Sequence, residues 1–345
     1  MKTREGDLIE TSEGIFFDVK GLIHPMDRVI AFIRYFPDEK GKRKKAEKSY
    51  TKVYPLQERY ELLRKRYPQY LAYDSVFDEV LCEVFARDVK RQYVPSEKLS
   101  ELRASKDLDS LEKKSLRLAE MLKEKASIGW DTLGISGSIL AGLHTAKSDI
   151  DIVVYGSSNC RKVHSALETL LRRESSQLKR YTKAELKKLF DFRSKDTAMT
   201  FEDFVRTESN KVMQGKFLDT DYFVRFVKDW NEVEERYGDI QYKNVGYARV
   251  EATVVDDSEA IFTPCTYQIA NVRFSEGSRS EPVKEIVSFR GRFCEQASIG
   301  DGIVSQGKIE QVRSTRNESQ YFRLLVGNSQ EDFIVPQYKG LFRSK

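Results

Sequence analysis

The stretch SDIDIVVYG, residues 148–156, restricts the fold more than any other part of the sequence. Its β-branched and aromatic residues read as a strand, and side chains alternate along a strand. Asp149 and Asp151 therefore project to one face, and Ile150 and Ile152 to the other. Two carboxylates about 7 Å apart on one strand face repel each other. Because an isolated buried charge is costly, each must be hydrated, paired or bound to a cation. A divalent cation with hard-oxygen preferences, Mg²⁺ or Mn²⁺, would relieve the repulsion. Two unrelated aspartates at a solvated strand end are the structural alternative.

The segment just upstream narrows the choice. DTLGISGS reads as a short strand ending at Gly137–Ser138, and SILAGLHT as one or two helical turns beginning there. A glycine followed by serine leaves backbone N–H groups and a hydroxyl open, which suits a phosphate. An ordinary serine cap on a glycine turn uses the same residues. His144 reads as a helix-end residue. Lys147, beside the aspartates, would either touch a phosphate or remain solvated.

In combination, Ile135-Ser136-Gly137-Ser138 followed by Ser148-Asp149-Ile150-Asp151-Ile152 resembles the hG[GS]…Dh[DE]h signature of the DNA polymerase beta-type nucleotidyltransferase superfamily, in its archaeal, minimal form. The match covers about twenty residues and holds both motifs at the expected spacing. The resemblance implies a third carboxylate on an adjacent strand. FLDTDYFVRFV, read as one strand, puts Asp219, Asp221, Phe223 and Arg225 on one face. Asp221 is the preferred third ligand, Asp219 the alternative, and Asp256–Asp257 a weaker candidate. The implied activity is metal-dependent transfer of NMP from an NTP to a hydroxyl, through two-metal in-line displacement. Asp149, Asp151 and Asp221 would hold the metal, while Gly137, Ser138 and Lys147 would hold the nucleotide, ATP among the candidates. Arg225 would pair with the acids or with a phosphate.

At 345 residues the chain is long for one core, and the pattern divides it in three. Residues 1–105 read as an N-terminal α+β module: a hairpin turned at Ser12–Gly14, a third strand DRVIAFIRYFP, a polar loop DEKGKRKKAEK, then the helix PLQERYELLRKR. Residues 106–238 read as the nucleotidyltransferase core, a mixed sheet with helices, among them SLEKKSLRLAEMLKEKA, RKVHSALETLLRRE, KAELKKLFDF and FEDFVRTESNKVMQG. Residues 239–345 are β-rich, five runs between Gly, Ser, Asp and Asn, as in a small barrel. The fold class is α+β.

Composition limits the partners. With 40% hydrophobic and 33% charged residues, no signal-like N-terminus and no long apolar run, the chain reads as a cytoplasmic protein without a membrane partner. The four cysteines lack CxxC spacing and read as free thiols. Three scattered histidines disfavour zinc and a histidine general base. Between Arg161 and Lys195 eleven Lys/Arg face four Asp/Glu, and GKRKK at 41–45 is a second basic cluster. Such clusters suit RNA or serve as solvated helix faces. SFRGRF (288–293) and QYFRLL (320–325) read either as an RNA-binding surface of the barrel or as its ordinary alternation of core and surface. A catalytically silent, RNA-binding relative is the second functional reading. Oligomeric state is not legible.

Overall fold

The computed structural model describes residues 1–194, 198–276 and 283–337. The protein is mixed α+β and divides into two compact units along lines that differ from the three segments expected. The first gathers residues 1–72, 81–180 and 212–234; the second gathers 73–80, 181–211 and 235–345.

The first unit opens with five strands, β1 (Leu8–Thr11), β2 (Phe16–Val19), β3 (Arg28–Pro37), β4 (Arg43–Lys45) and β5 (Lys48–Lys52). The hairpin joining β1 and β2 turns where expected: Gly14 N–H donates to Thr11 O at 2.8 Å. DEKGKRKKAEK, expected as a polar loop, instead carries the β4–β5 hairpin. Helix α1 (Leu56–Arg66) follows, with Pro55 at its N-cap. Strands β6 (Leu71–Asp74), β7 (Glu79–Phe85) and β8 (Val89–Tyr93) complete the sheet, ordered β4-β5-β3-β2-β1-β8 with β7 on β3.

Next come α2 (Pro95–Ala104), α3 (Ser110–Ala126), β9 (Leu133–Ile135), α4 (Gly137–Ala141), β10 (Ile150–Tyr155), α5 (Ser157–Leu171), β11 (Leu178–Lys179), β12 (Gln214–Phe217) and β13 (Thr220–Val227). The sheet order is β11-β12-β13-β10-β9, with β10 parallel to β13 and antiparallel to β9. Helix α3 begins in a capping box, Asp109 accepting from Glu112 N–H while the Glu112 carboxylate accepts from Asp109 N–H, and it buries Leu111, Leu118 and Leu122.

The N-terminal sheet is not a separate module. Its Leu8, Phe16, Tyr35 and Tyr50 form one buried cluster with Leu140, Ala141 and Leu143, the residues that follow the glycine–serine turn. Its other face forms a second cluster, with Ile9, Phe17, Ile33, Leu63 and Tyr70 at its centre. A boundary at residue 105 would expose the first cluster, and apolar burial of that kind is what holds segments in one unit.

The second unit contains α6 (Lys183–Arg193), α7 (Phe201–Glu208) and six strands: β14 (Ile240–Asp256), β15 (Cys265–Glu276), β16 (Val283–Ser288), β17 (Gly302–Ser314), β18 (Gln320–Leu325) and β19 (Phe333–Gln337). Both helices were expected in the middle segment. Helicity in FEDFVRTESNKVMQG ends at Glu208, and Gln214 already lies in β12. The pairings β14-β15-β16-β18-β17-β14 connect five of these strands, with β16 and β18 parallel, in a half-barrel where a small barrel was expected. Strand β19 is a sixth strand, added on β17.

Candidate active site

The first unit brings the two sequence motifs against each other. Strand β9 ends at Ile135, and Ser136 N–H continues the ladder by donating to Asp151 O at 2.9 Å. Gly137 then turns with φ +62, a left-handed conformation that glycine adopts at least cost. A methyl group there would stand 1.7 Å from Asp151 Oδ2, so glycine is the residue that lets this carboxylate lie on the turn. Ser136 Oγ donates to Gly6 O at 2.6 Å, tying the turn to the N-terminal segment.

Strand β13 supplies the neighbouring wall. Asp151 is in register with Phe223, and Tyr222, Val224 and Phe226 are buried on the opposite face, the core set the alternation predicts. The expected single strand from Phe217 is in fact a hairpin. Leu218 and Asp219 both have positive φ, 47° and 64°, and form its two-residue turn. This correction removes Asp219 from any strand face. Asp221 precedes Phe223 by two residues, as Asp149 precedes Asp151. Its side chain is 52% exposed and pairs with Lys216 at 2.9 Å.

The cleft around Asp151 is narrow and lined by residues that include Asp18, Arg34, Tyr35, Gly137, Phe223 and Arg225. Three of these come from the N-terminal sheet, which sequence reasoning treated as an accessory. The available signal was a charge inside an apolar strand: Asp18 in FFDV and Arg34 in IAFIRYF. Lys52, on β5, joins them electrically.

Burial, followed by repulsion from Asp149, pushes the Asp151 carboxyl up to about 7, against the attraction of Lys52, Arg34 and Arg225. Burial, followed by Arg34, pushes the Lys52 ammonium down to about 7, although Asp149 and Asp151 oppose that change. In both groups desolvation outweighs the mutual attraction. Asp18 goes the other way. Burial would raise it, but Lys20, Arg225 and Arg34 together hold it below the usual carboxylate range. Lys20 Nζ stands 3.0 Å from Asp18 and 3.0 Å from Glu5, and Arg225 also pairs with Glu5. Arg225 thus pairs with Glu5, an acid outside the predicted aspartates.

Two buried hydroxyls here have no hydrogen-bond partner, those of Tyr35 and Ser138. An orphaned buried hydroxyl costs about 1–3 kcal/mol, a penalty that an oxygen-rich ligand would relieve. With the adjacent carboxylates, this donor set fits a hard divalent cation and a phosphate. Lys147 is exposed, two residues before Asp149. Among the described residues, the group of three whose ligand atoms lie within 4.8 Å of one another is Asp109, Glu112 and His144, not the predicted acids. Its two carboxylates already form the α3 capping box, and His144 Nε2 meets Asp109 Oδ2 at 2.7 Å.

These features define an α+β protein with a paired-aspartate cleft built on a glycine turn. The chain is 34% identical over 342 residues to Uncharacterized protein MJ1086 of Methanocaldococcus jannaschii, covering 96% of this chain and 98% of that protein, and it belongs to the same family. No family model matches the chain, and no solved structure matches it.

Proposed function

We propose that the protein is a metal-dependent nucleotidyltransferase that moves NMP from an NTP to a hydroxyl acceptor. The observation that carries this reading is the contact of the Asp151 carboxylate with the Gly137 turn, with Asp149 close enough to raise its proton affinity. Asp149 and Asp151, joined by Asp221 once it leaves Lys216, would hold Mg²⁺ or Mn²⁺, and the ion supplies Lewis-acid polarisation of phosphoryl oxygens when bound. The remaining work belongs to the chain. The Gly137–Ser138 turn offers backbone N–H groups and an unpaired hydroxyl to the phosphates. Arg34 places positive charge beside the acids, joined by Lys52 when it is protonated, where negative charge accumulates in phosphoryl transfer. Gly137, lacking a side chain, keeps the two motifs in contact.

The test is incubation with each labelled NTP, Mg²⁺ and total RNA. Asp149→Ala with Asp151→Ala should lower transfer about a thousandfold or more. If the native protein transfers nothing, and the double variant binds NTP as the native protein does, the reading is wrong. One observation favours the second reading, a catalytically silent, RNA-binding relative: Asp221 is occupied by Lys216. Binding of RNA by the native protein, without any NMP transfer, would establish it.

Several aromatic and basic residues of SFRGRF and QYFRLL are packed inside the β-rich unit. Phe293 is 1% exposed, and Arg323 is buried, ion-paired to Glu310 at 2.8 Å and stacked on Tyr242 at 3.9 Å. Of the two readings offered by these runs, alternating core and surface accounts for these residues.

A further inference from the structure

A second concavity of the first unit shares no residue with the aspartate cleft. It is an open groove of about 1010 Å³ along α5, lined by Lys125, Arg161, Lys162, Ser165, Thr169 and Arg173, with Ala126, Ala166 and Leu170 as its apolar floor. The described residues lining it include no carboxylate. Glu168, on the same helix, is paired with Arg172.

We propose that this groove binds the backbone of single-stranded nucleic acid. Arg161, Ser165 and Thr169 recur every fourth residue of α5 and are exposed, so they form one stripe along the helix, and exposed Arg173 lies two residues beyond its last residue, Leu171. At 1.5 Å per residue its helical part, Arg161 to Thr169, runs about 12 Å, enough to meet a few successive phosphates of one strand. The four cations match a phosphodiester chain in charge and the Ser165 hydroxyl adds a donor, whereas the Thr169 hydroxyl already donates to Ser165 O at 2.9 Å. The shallow apolar floor suits sugars better than stacked bases, which predicts binding with little sequence preference. The inference is independent of nucleotidyl transfer, and a transfer-dead protein would still show it.

The experiment is fluorescence anisotropy with labelled 20-nucleotide RNA and DNA of mixed sequence, using the full chain across a salt series. Arg161→Glu/Lys162→Glu/Arg173→Glu should weaken binding at least tenfold and reduce the slope of log K against log salt by about 2, near 0.7 per lost contact. The comparison protein, Lys183→Glu/Lys187→Glu/Lys188→Glu, changes net charge equally on α6, whose lysines are also exposed. It should retain near-native affinity. Equal losses in both variants, or no binding of either strand by the native chain, would overturn the assignment. Unchanged thermal unfolding of both variants excludes misfolding as the cause of a loss.

Discussion

At the level of single residues, desolvation decides the protonation of several buried groups of the first unit, Asp18 excepted. His24 shows this outside the aspartate cleft. Its Nε2–H donates to Thr3 O at 3.1 Å, and its Nδ1 accepts from Ile30 N–H at 3.3 Å, so both nitrogens are used by the neutral ring. Protonation would remove the acceptor, and burial pushes the imidazole down to about 4. The unfolded chain, near 6.5, therefore takes up a proton before the folded chain does. Stability should fall as pH drops from about 6.5 to 4, by on the order of 3 kcal/mol relative to His24→Gln. Asp7, pushed up to about 6 mainly by burial, favours folding at low pH, but it is common to both proteins and cancels in the difference. Urea unfolding of the two proteins from pH 4 to 7.5 tests this, and parallel curves would contradict it. At this scale the sequence was informative where a residue type has one use. Gly137 and the alternation of Asp149 and Asp151 are visible in it, whereas Arg34 and Lys52 become partners of those acids only through long-range sheet packing.

At the level of elements, the β12–β13 hairpin shows why some turns escape notice. A two-residue turn with both φ positive normally announces itself as Asn-Gly, and here it is Leu218–Asp219. Lys114 Nζ donates to Leu218 O at 3.1 Å and to Thr220 Oγ1 at 2.8 Å, so side chains outside the hairpin support the turn. Leucine in this conformation costs about 1 kcal/mol. Leu218→Asn with Asp219→Gly should therefore raise stability by about 1 kcal/mol, read as a higher urea midpoint. The same variant should keep full NMP transfer, since it removes the acid that the hairpin takes off the sheet. Loss of transfer in a stably folded variant would return Asp219 to the site. Strand β19 was obscured for a comparable reason: Pro336 interrupts its strand pattern. The β4–β5 hairpin was obscured by its charge density, although Lys45 is held there by Tyr93 OH and Ala141 O.

At the level of the whole molecule, both units are discontinuous in sequence. The α+β class and the β-rich C-terminal segment were legible from periodicity, and the segmentation was not, because it depends on which apolar faces meet. The expected core fragment, residues 106–238, should not fold alone. It would expose Leu140 and Leu143 to water and leave the Ser136 hydroxyl without Gly6 O. Circular dichroism on that fragment should show no cooperative melt, and a sharp transition would restore the boundary at residue 105. No helix among the described residues is long and apolar enough to cross a membrane. The central place of β13, between β12 and β10, also bears on biosynthesis. On a ribosome adding 5–20 residues each second, roughly 4–14 s separate the synthesis of Tyr155 from that of Val227. Throughout that interval the nascent aspartate strand lacks its parallel neighbour, and a chaperone or a sister chain has its best opportunity to occupy the open edge.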